Sequence, residues 1–507
     1  MSTTHPFSSK AFELFLSASW FQVITAFLVL IISYDQIAYQ FRKGSIEGPR
    51  FKFYPIIGPF LESLDPKFEE YKAKWDSGPL SCVSIFHKFI VIASTRDFAR
   101  KILQSPKFVK PCLVDVAVKI LRPSNWVFLD GKEHIDYRRP LNGLFVPKAL
   151  EVYIPIQEVY MDKFLERFIS YEKPREFFSE FKEMICAISL KTFCGDYIPE
   201  EQVKRICDNY FKITAALELI NFPIIIPFTK TWYGKKLADK TMKVFEECSA
   251  KAKIHINKED GKPTCIMDAW INLMKEACEK RSNDPDSKLL VRSFSDREIS
   301  EVIFTFLFAS QEASSSLACW LFQIVADRPE IAARIREEQL LVRKGDPHVP
   351  LSLDLINQMI YTHNVVRETL RYRPPVLMVP YLVKESFPVS PNYTAPKGSM
   401  IIPTLYPALH DPEIYSNPDE FIPDRWYEAT EDMNKRNWLV FGSGPHLCIG
   451  QKYAMMFFTG MLGKFVMNSN IIHHATDSSE SIKIFATIFP KDDLILEWKA
   501  RNPSSNE

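Results

Sequence analysis
The 507-residue chain has almost no net charge: 63 Lys and Arg stand against 62 Asp and Glu, leaving +1. A nucleic-acid-binding protein shows a basic excess, so that class is disfavoured. The ten cysteines include no C-x-x-C pair, which speaks against a disulfide framework and for a reducing compartment. No Gly/Ser-rich linker or low-complexity run interrupts the chain after residue 60, and no repeat recurs at a fixed period. Length alone would allow about two to four domains; without a linker, one large unit is the simpler expectation. The chain also lacks a G-x-G-x-x-G in a strand–turn–helix setting and any flavin-binding segment. Electrons for redox chemistry must therefore come from a partner. What is present is an ordinary globular composition, 46% hydrophobic and 25% charged, with room for a large core.

Leu14 to Tyr34 is a run of 21 residues without a charge, long enough to cross the hydrocarbon layer, although Ser17, Ser19, Gln22, Thr25 and Ser33 dilute it. A cleaved signal peptide and an interfacial helix are the alternatives. Glu13 and Asp35 fit neither the basic n-region nor the small-residue cleavage site of a signal peptide. Arg42, Lys43, Arg50 and Lys52 follow the run, against Lys10 before it. The positive-inside bias therefore places everything after residue 40 in the cytosol. The expected division is a tail and membrane anchor over residues 1–45 and a catalytic unit over 46–507. Asn392-Tyr393-Thr394 is a glycosylation sequon that a cytosolic unit leaves unmodified.

Strand signals are short: Cys82–Phe86 and Phe89–Ala93 alternate like a hairpin, with further stretches near Met400–Ile402 and Leu494–Leu496. The remainder reads as helix, so the expected class is mainly α with small β-sheets. The longest helix is expected over Asp296–Ala326, opened by a capping box of Ser295 with Glu298 and followed by Pro329. Its centre, Val302 to Phe308, is apolar all round, which marks a buried helix. Ser310, Gln311, Glu312 and Ser314 to Ser316 interrupt that apolar stretch. Such groups are costly there unless they are hydrogen-bonded or functional. The structural alternative is hydroxyls bonding back to the carbonyls four residues earlier.

Phe441 to Gly450 reads F-x-x-G-x-x-x-C-x-G, a glycine-rich loop presenting Cys448 just before the helical segment Tyr453 to Phe465. Converging backbone N–H groups at a helix start help a thiolate exist at neutral pH. Gly442, Gly444 and Gly450 are expected to let the backbone fold around the sulfur. Upstream, Glu368-Thr369-Leu370-Arg371 places a carboxylate and a guanidinium one helical turn apart, and Arg425 lies in Pro423-Asp424-Arg425. In this order the three motifs resemble the cytochrome P-450 superfamily. The resemblance implies the cytochrome P-450 fold, a haem b whose iron takes the Cys448 thiolate, and a buried Glu368–Arg371–Arg425 lock.

The same resemblance carries over further residues. Ala309 to Ser314 aligns with the family's A/G-G-x-D/E-T-T/S, which relays protons over the haem, but Ala313 stands at the threonine position. Delivery then falls to Glu312 with Ser314, Ser310 or water. His134 stands where G-x-x-W-x-x-x-R has tryptophan, His446 replaces an arginine two residues before Cys448, and Tyr381 follows Pro380 at another arginine position. Arg138 is thus the expected cationic partner of the haem propionates, helped by His134, His446 and Tyr381. Phe441 and Gly442 line the cofactor side of the loop.

Apolar candidate pocket segments are Lys110–Ile120, Leu217–Phe228, the central long helix, Val376–Val379 and Phe485–Phe489, which point to a large apolar ligand. Phe51 to Leu64, Pro374 to Pro380, Asp296 to Pro329, Ala313 and His446 look like the fungal sterol C-22 desaturases. That likeness implies a double bond placed in the side chain of an ergosterol precursor with O2 and electrons from NADPH. It also implies a membrane NADPH–cytochrome P-450 reductase, meeting Lys132, Arg139, Lys435, Arg436 and Lys452, and an endoplasmic-reticulum location. The alternatives are another sterol-oxidising cytochrome P-450, a 14-demethylase or a side-chain hydroxylase, and more remotely a non-enzymatic haem or sterol sensor.

Overall fold
The computed structural model describes residues 20–501 apart from 53, 55, 60–64, 87, 114, 218–223, 284–291, 485 and 486. Residues 14–19 of the N-terminal apolar run therefore lie outside the described residues. From Trp20 the run forms helix α1 (Trp20–Lys43), in which Asp35 and Tyr39 alone are buried.

Next in the chain come β1 (Leu80–Ile85) and β2 (Lys88–Ala93), the expected hairpin with a slightly longer ladder, Leu80 opposite Ala93 and Ile85 opposite Lys88. With β3 (Val109–Pro111) and two strands from the last third of the chain, they build a five-stranded sheet. The helical body includes α2 (Gly131–Asn142), α3 (Phe178–Cys194), α4 (Glu200–Leu217), α5 (Lys230–Ile256), α6 (Asp296–Ala326) and α7 (Ile360–Tyr372), with further helices between. The returning strands are β4 (Tyr381–Val383) and β5 (Met400–Pro403), and the sheet order is β1-β2-β5-β4-β3. The β2–β5 pairing is parallel and the others are antiparallel. Helix α8 (Gln451–Asn468) then leads to the small antiparallel hairpin β6 (Ile482–Ile484) and β7 (Ile488–Pro490).

Helix α6 is the axis of the body. The capping box forms as expected: Ser295 accepts from the Glu298 amide while the Glu298 carboxylate accepts from the Ser295 amide. Its 31 residues span about 46 Å at 1.5 Å per residue. Val302 to Leu307 are all buried, and α6 packs against α3, α5, α7 and β7. Among the described residues α1 and α6 are both long and apolar enough to cross a membrane, but the apolar window of α6 is 72% buried in protein and that of α1 only 6%. The first is therefore a core helix, and the second is left bare for a bilayer. Helix α7 stops two residues before Pro374, whose ring cannot continue it.

Candidate active site
The cysteine loop is built by two left-handed glycines, Gly442 at φ 76° and Gly444 at φ 73°. A Cβ on Gly444 would stand 2.6 Å from the carbonyl oxygen of Leu103, so this glycine also permits the loop to press against the end of the helix Arg96–Leu103. Gly450 differs from the expectation: its φ is −84°, and a Cβ there would make only ordinary contact with Cys448 Sγ at 3.9 Å. Its role is to open α8. The Cys448 amide donates to the Phe441 carbonyl at 2.9 Å, closing the loop. Cys448 keeps accessible surface, yet burial dominates its titration, so the sulfur lies in a recess rather than on an open face. Burial raises the thiol, while the Gly450 amide, the Arg138 charge and the Gln451 amide pull it back towards thiolate.

Beside the loop, α2 supplies His134, which is buried, and Arg138 one turn later. Arg138 donates to the Leu447 carbonyl, next to the cysteine. The rings of His134 and His446 lie 4.2 Å apart, and the Trp126 indole stacks on His134 at 6.2 Å. Burial lowers both imidazoles, aided for His446 by its neighbours His134 and Arg138, which bring it down to about 4. His134 Nε2 is buried without a hydrogen-bond partner. An orphaned imidazole nitrogen beside an arginine and a second imidazole is a suitable site for a carboxylate such as a haem propionate. The residues present therefore fit a haem: a recessed thiol on one side and polar donors along its edge. Tyr381 lies buried in β4, opposite Ile401, with its hydroxyl raised to about 12 by burial and by Cys112.

Behind the loop the three-residue lock forms as expected. Glu368 and Arg371 are both fully buried. The Glu368 carboxylate accepts from Arg371 Nη2 at 2.9 Å and from Arg371 Nε, Arg425 Nε, the Ile422 amide and Trp426 Nε1, each at 3.0 Å. Arg371 spends its remaining donors on the carbonyls of Leu409, Pro418 and Glu420.

Across the helical body, Glu312 is 4% exposed in the middle of α6. Its Oε1 accepts from Thr214 Oγ1 of α4 at 3.0 Å, and its Oε2 lies 3.0 Å from Lys182 Nζ of α3 without hydrogen-bond geometry. Gln311 holds this arrangement by donating to the Lys182 carbonyl at 2.7 Å. The serines divide. Ser315 bonds back to the Gln311 carbonyl, and Ser316 donates to the Ile488 carbonyl of β7, which also receives Trp320 Nε1 at 3.2 Å. Thr487, one residue earlier, donates to the carbonyl of Glu312 at 3.2 Å. Ser310 faces Ser189 at 3.3 Å. Ser314 is half-buried beside Ala313.

With this geometry in hand, residues 49–487 match the family model described as Cytochrome P450. The chain belongs to the cytochrome P450 family. It is 75% identical to the C-22 sterol desaturase ERG5 of Candida albicans over 94% of this chain and 92% of that one. It is 64% identical to the C-22 sterol desaturase ERG5 of Saccharomyces cerevisiae, covering 97% and 92%. Among solved structures, the retinoic acid-bound cyanobacterial CYP120A1 superposes with a TM-score of 0.75 at 19% identity, covering 88% of this chain and 98% of that one, and shows the shared fold. Membership brings a haem-thiolate iron cofactor, dioxygen as oxidant and a redox partner as electron source.

Sequence reasoning reached the P450 loop, the lock and Glu312, but missed Lys182, Thr214 and Thr487. The one available signal was the charged pair Lys182-Glu183 set between Phe181 and Met184-Ile185-Cys186, where buried charges need partners. Of the expected basic face, Lys132, Arg139, Arg436 and Lys452 are exposed, and the side chain of Lys435 lies outside the described residues. Of the expected pocket segments, residues 114, 218–223, 485 and 486 lie outside them too, as do 53, 55 and 60–64 of the Phe51–Leu64 segment.

Proposed function
We propose that this P450 is a sterol C-22(23) desaturase. The observation that carries the reading is 75% identity, over nearly the whole chain, to a protein of that name. In such a reaction the sterol side chain loses two hydrogens, while dioxygen and two further electrons from NADPH become two waters. When bound, haem b supplies the oxidising iron centre that removes those hydrogens. Cys448 would hold the iron through its thiolate. Arg138, His134 and His446 would hold the propionate edge, with Phe441 and Gly442 against the ring. Forming two waters consumes protons. Ala313 has no hydroxyl to pass them, so Glu312, held by Thr214 and Lys182, takes and gives protons at its carboxylate, with Ser314 beside it. The apolar walls of α6 and the neighbouring segments position the side chain and exclude water.

Residues 1–45 serve as tail and anchor and 46–507 as the haem-thiolate catalytic unit, on the cytosolic side of the endoplasmic-reticulum membrane. Electrons come from NADPH–cytochrome P-450 reductase, whose acidic flavin domain is steered by Lys132, Arg139, Lys435, Arg436 and Lys452. Reconstitution with that reductase and membrane sterols, followed by mass analysis, tests the reading. A product lighter by two hydrogens at C-22 and C-23 is expected; an alcohol, or loss of formic acid, overturns it. Cys448→Ser tests the ligand separately: serine offers no thiolate, so the reduced-CO band typical of the family should vanish.

A further inference from the structure
Where α1 leaves the apolar run it does not continue as a loose tether. Asp35 Oδ1 meets Lys52 Nζ at 2.9 Å, with the two side chains only 4% and 3% exposed. Asp35 Oδ2 accepts from the Ile56 amide at 2.9 Å, and Lys52 Nζ also donates to the Ile56 carbonyl at 3.3 Å. One residue along, Gln36 and Lys52 pair reciprocally: Gln36 Nε2 donates to the Lys52 carbonyl at 2.8 Å and the Lys52 amide donates to Gln36 Oε1 at 3.0 Å. Tyr39 donates to the Pro49 carbonyl at 2.8 Å, and Tyr393, far along the chain, donates to the Arg42 carbonyl at 2.9 Å.

Packing alone does not fix the helix here. A cavity of about 300 Å³ opens between it and the β1–β2 hairpin, walled by Tyr34, Ala38, Arg42 and Phe89. Tyr39 packs edge-on against Phe89 with ring centroids 6.1 Å apart, and the polar contacts complete the attachment. A buried ion pair is a poor source of stability, because desolvation cancels much of the attraction; its best-attested use is to impose one register. Backbone strain marks the same spot: Ile56, held at both its amide and its carbonyl, has φ 68°, a conformation that a β-branched residue adopts only when its surroundings enforce it. Phe41 and Phe51 flank the joint, 85% and 70% exposed, as suits side chains entering a lipid surface.

We propose that Asp35 and Lys52 are positioning residues. Their clamp makes the anchor and the catalytic unit one rigid body, so that a single tilt presents the substrate entrance to the bilayer. The tilt itself is independent of the substrate, whereas its kinetic consequence rests on the reading of the substrate as a membrane-dissolved sterol.

The test uses full-length enzyme in oriented bilayers, reading the haem tilt by polarised absorption. The same protein is assayed with sterol dissolved in the bilayer and with sterol delivered in detergent. Lys52→Met should broaden the tilt. If a tenth of the molecules keep the productive orientation, KM for bilayer sterol rises about tenfold, with kcat and the detergent KM unchanged. Lys52→Arg should restore both. Gln36→Ala removes the paired amide without stranding a charge, and should move tilt and bilayer KM in the same direction even if Lys52→Met yields too little haem protein. An unchanged tilt in Lys52→Met and Gln36→Ala, or a rise of both KM values together, overturns the proposal. A broadened tilt with no sterol turnover in any variant leaves the clamp standing and sinks the sterol reading instead.

Discussion
Glu368 and Glu312 are both buried on helices and both face a cation, yet their surroundings differ. Glu368 accepts five hydrogen bonds from four residues, and its partner Arg371 has no donor to spare. Glu312 accepts one hydrogen bond at its carboxylate, from Thr214, and meets Lys182 by charge alone. A saturated carboxylate cannot take a proton without breaking its neighbours' bonds, so it serves to lock. An under-saturated one can exchange its proton at small structural cost. Burial alone therefore does not tell the two carboxylates apart; the number of donors aimed at each does.

The comparison is easiest to break at its saturated end. Glu368→Gln leaves Arg371 buried without its counter-charge, at a cost of about 3–5 kcal/mol. Little haem protein should be recovered, as read by reduced-CO absorbance and thermal unfolding, and a wild-type Tm would contradict the lock. Glu312→Gln should instead fold, bind haem and sterol, and slow product formation roughly 100-fold. Unchanged turnover with tight NADPH coupling would move the relay to Ser314 or water. Thr214→Val keeps the shape and removes the one hydrogen bond to Glu312, worth about 1 kcal/mol. A several-fold loss of turnover with unchanged haem content is expected, and equal activity would show that Thr214 only packs.

The smallest effect belongs to a half-buried carboxylate that sets the baseline. Burial would raise Glu298, but Arg292 and the Ser295 amide and hydroxyl outweigh it and hold it at about 2. A depressed acid contributes stability above its unfolded value of 4.5, and that stability is lost as pH falls towards 2. Screened by solvent, the contribution is about 1 kcal/mol. Glu298→Gln should lower Tm slightly at neutral pH, and the difference from wild type should close between pH 4.5 and 2.

The Glu368–Arg371 half of the lock was legible because its parts are local, whereas Arg425, 57 residues from Glu368, came only from the family resemblance. Glu368 and Arg371 share one turn of α7, and the capping box of α6 lies within four residues. The ladder of β1 and β2 followed from alternation around a short turn, though β1 starts two residues earlier and ends one residue earlier than the pattern showed and β2 starts one earlier. Around Glu312 the sequence supplied the acid and not its company. Thr214 lies 98 residues away, and its approach depends on how α4 crosses α6, which no spacing encodes. The serines after Glu312 look alike in sequence, yet Ser315 turns back onto its own helix while Ser316 reaches β7. Gly450 was overread for the opposite reason: a glycine in a glycine-rich loop invites a conformational role, and its backbone needs none.

The β6–β7 hairpin is tied to α6 at Glu312 and along the turns that follow it. Thr487 takes the Glu312 carbonyl, and Ser316 and Trp320 share the carbonyl of Ile488. The hairpin cannot be exchanged as a free module. A designer who grafts residues 482–490 from a relative to change which side chain fits also inherits a new anchorage for the helix beneath. Substrate range and proton supply would then drift together, unless Ser316 and Trp320 were carried across with the graft.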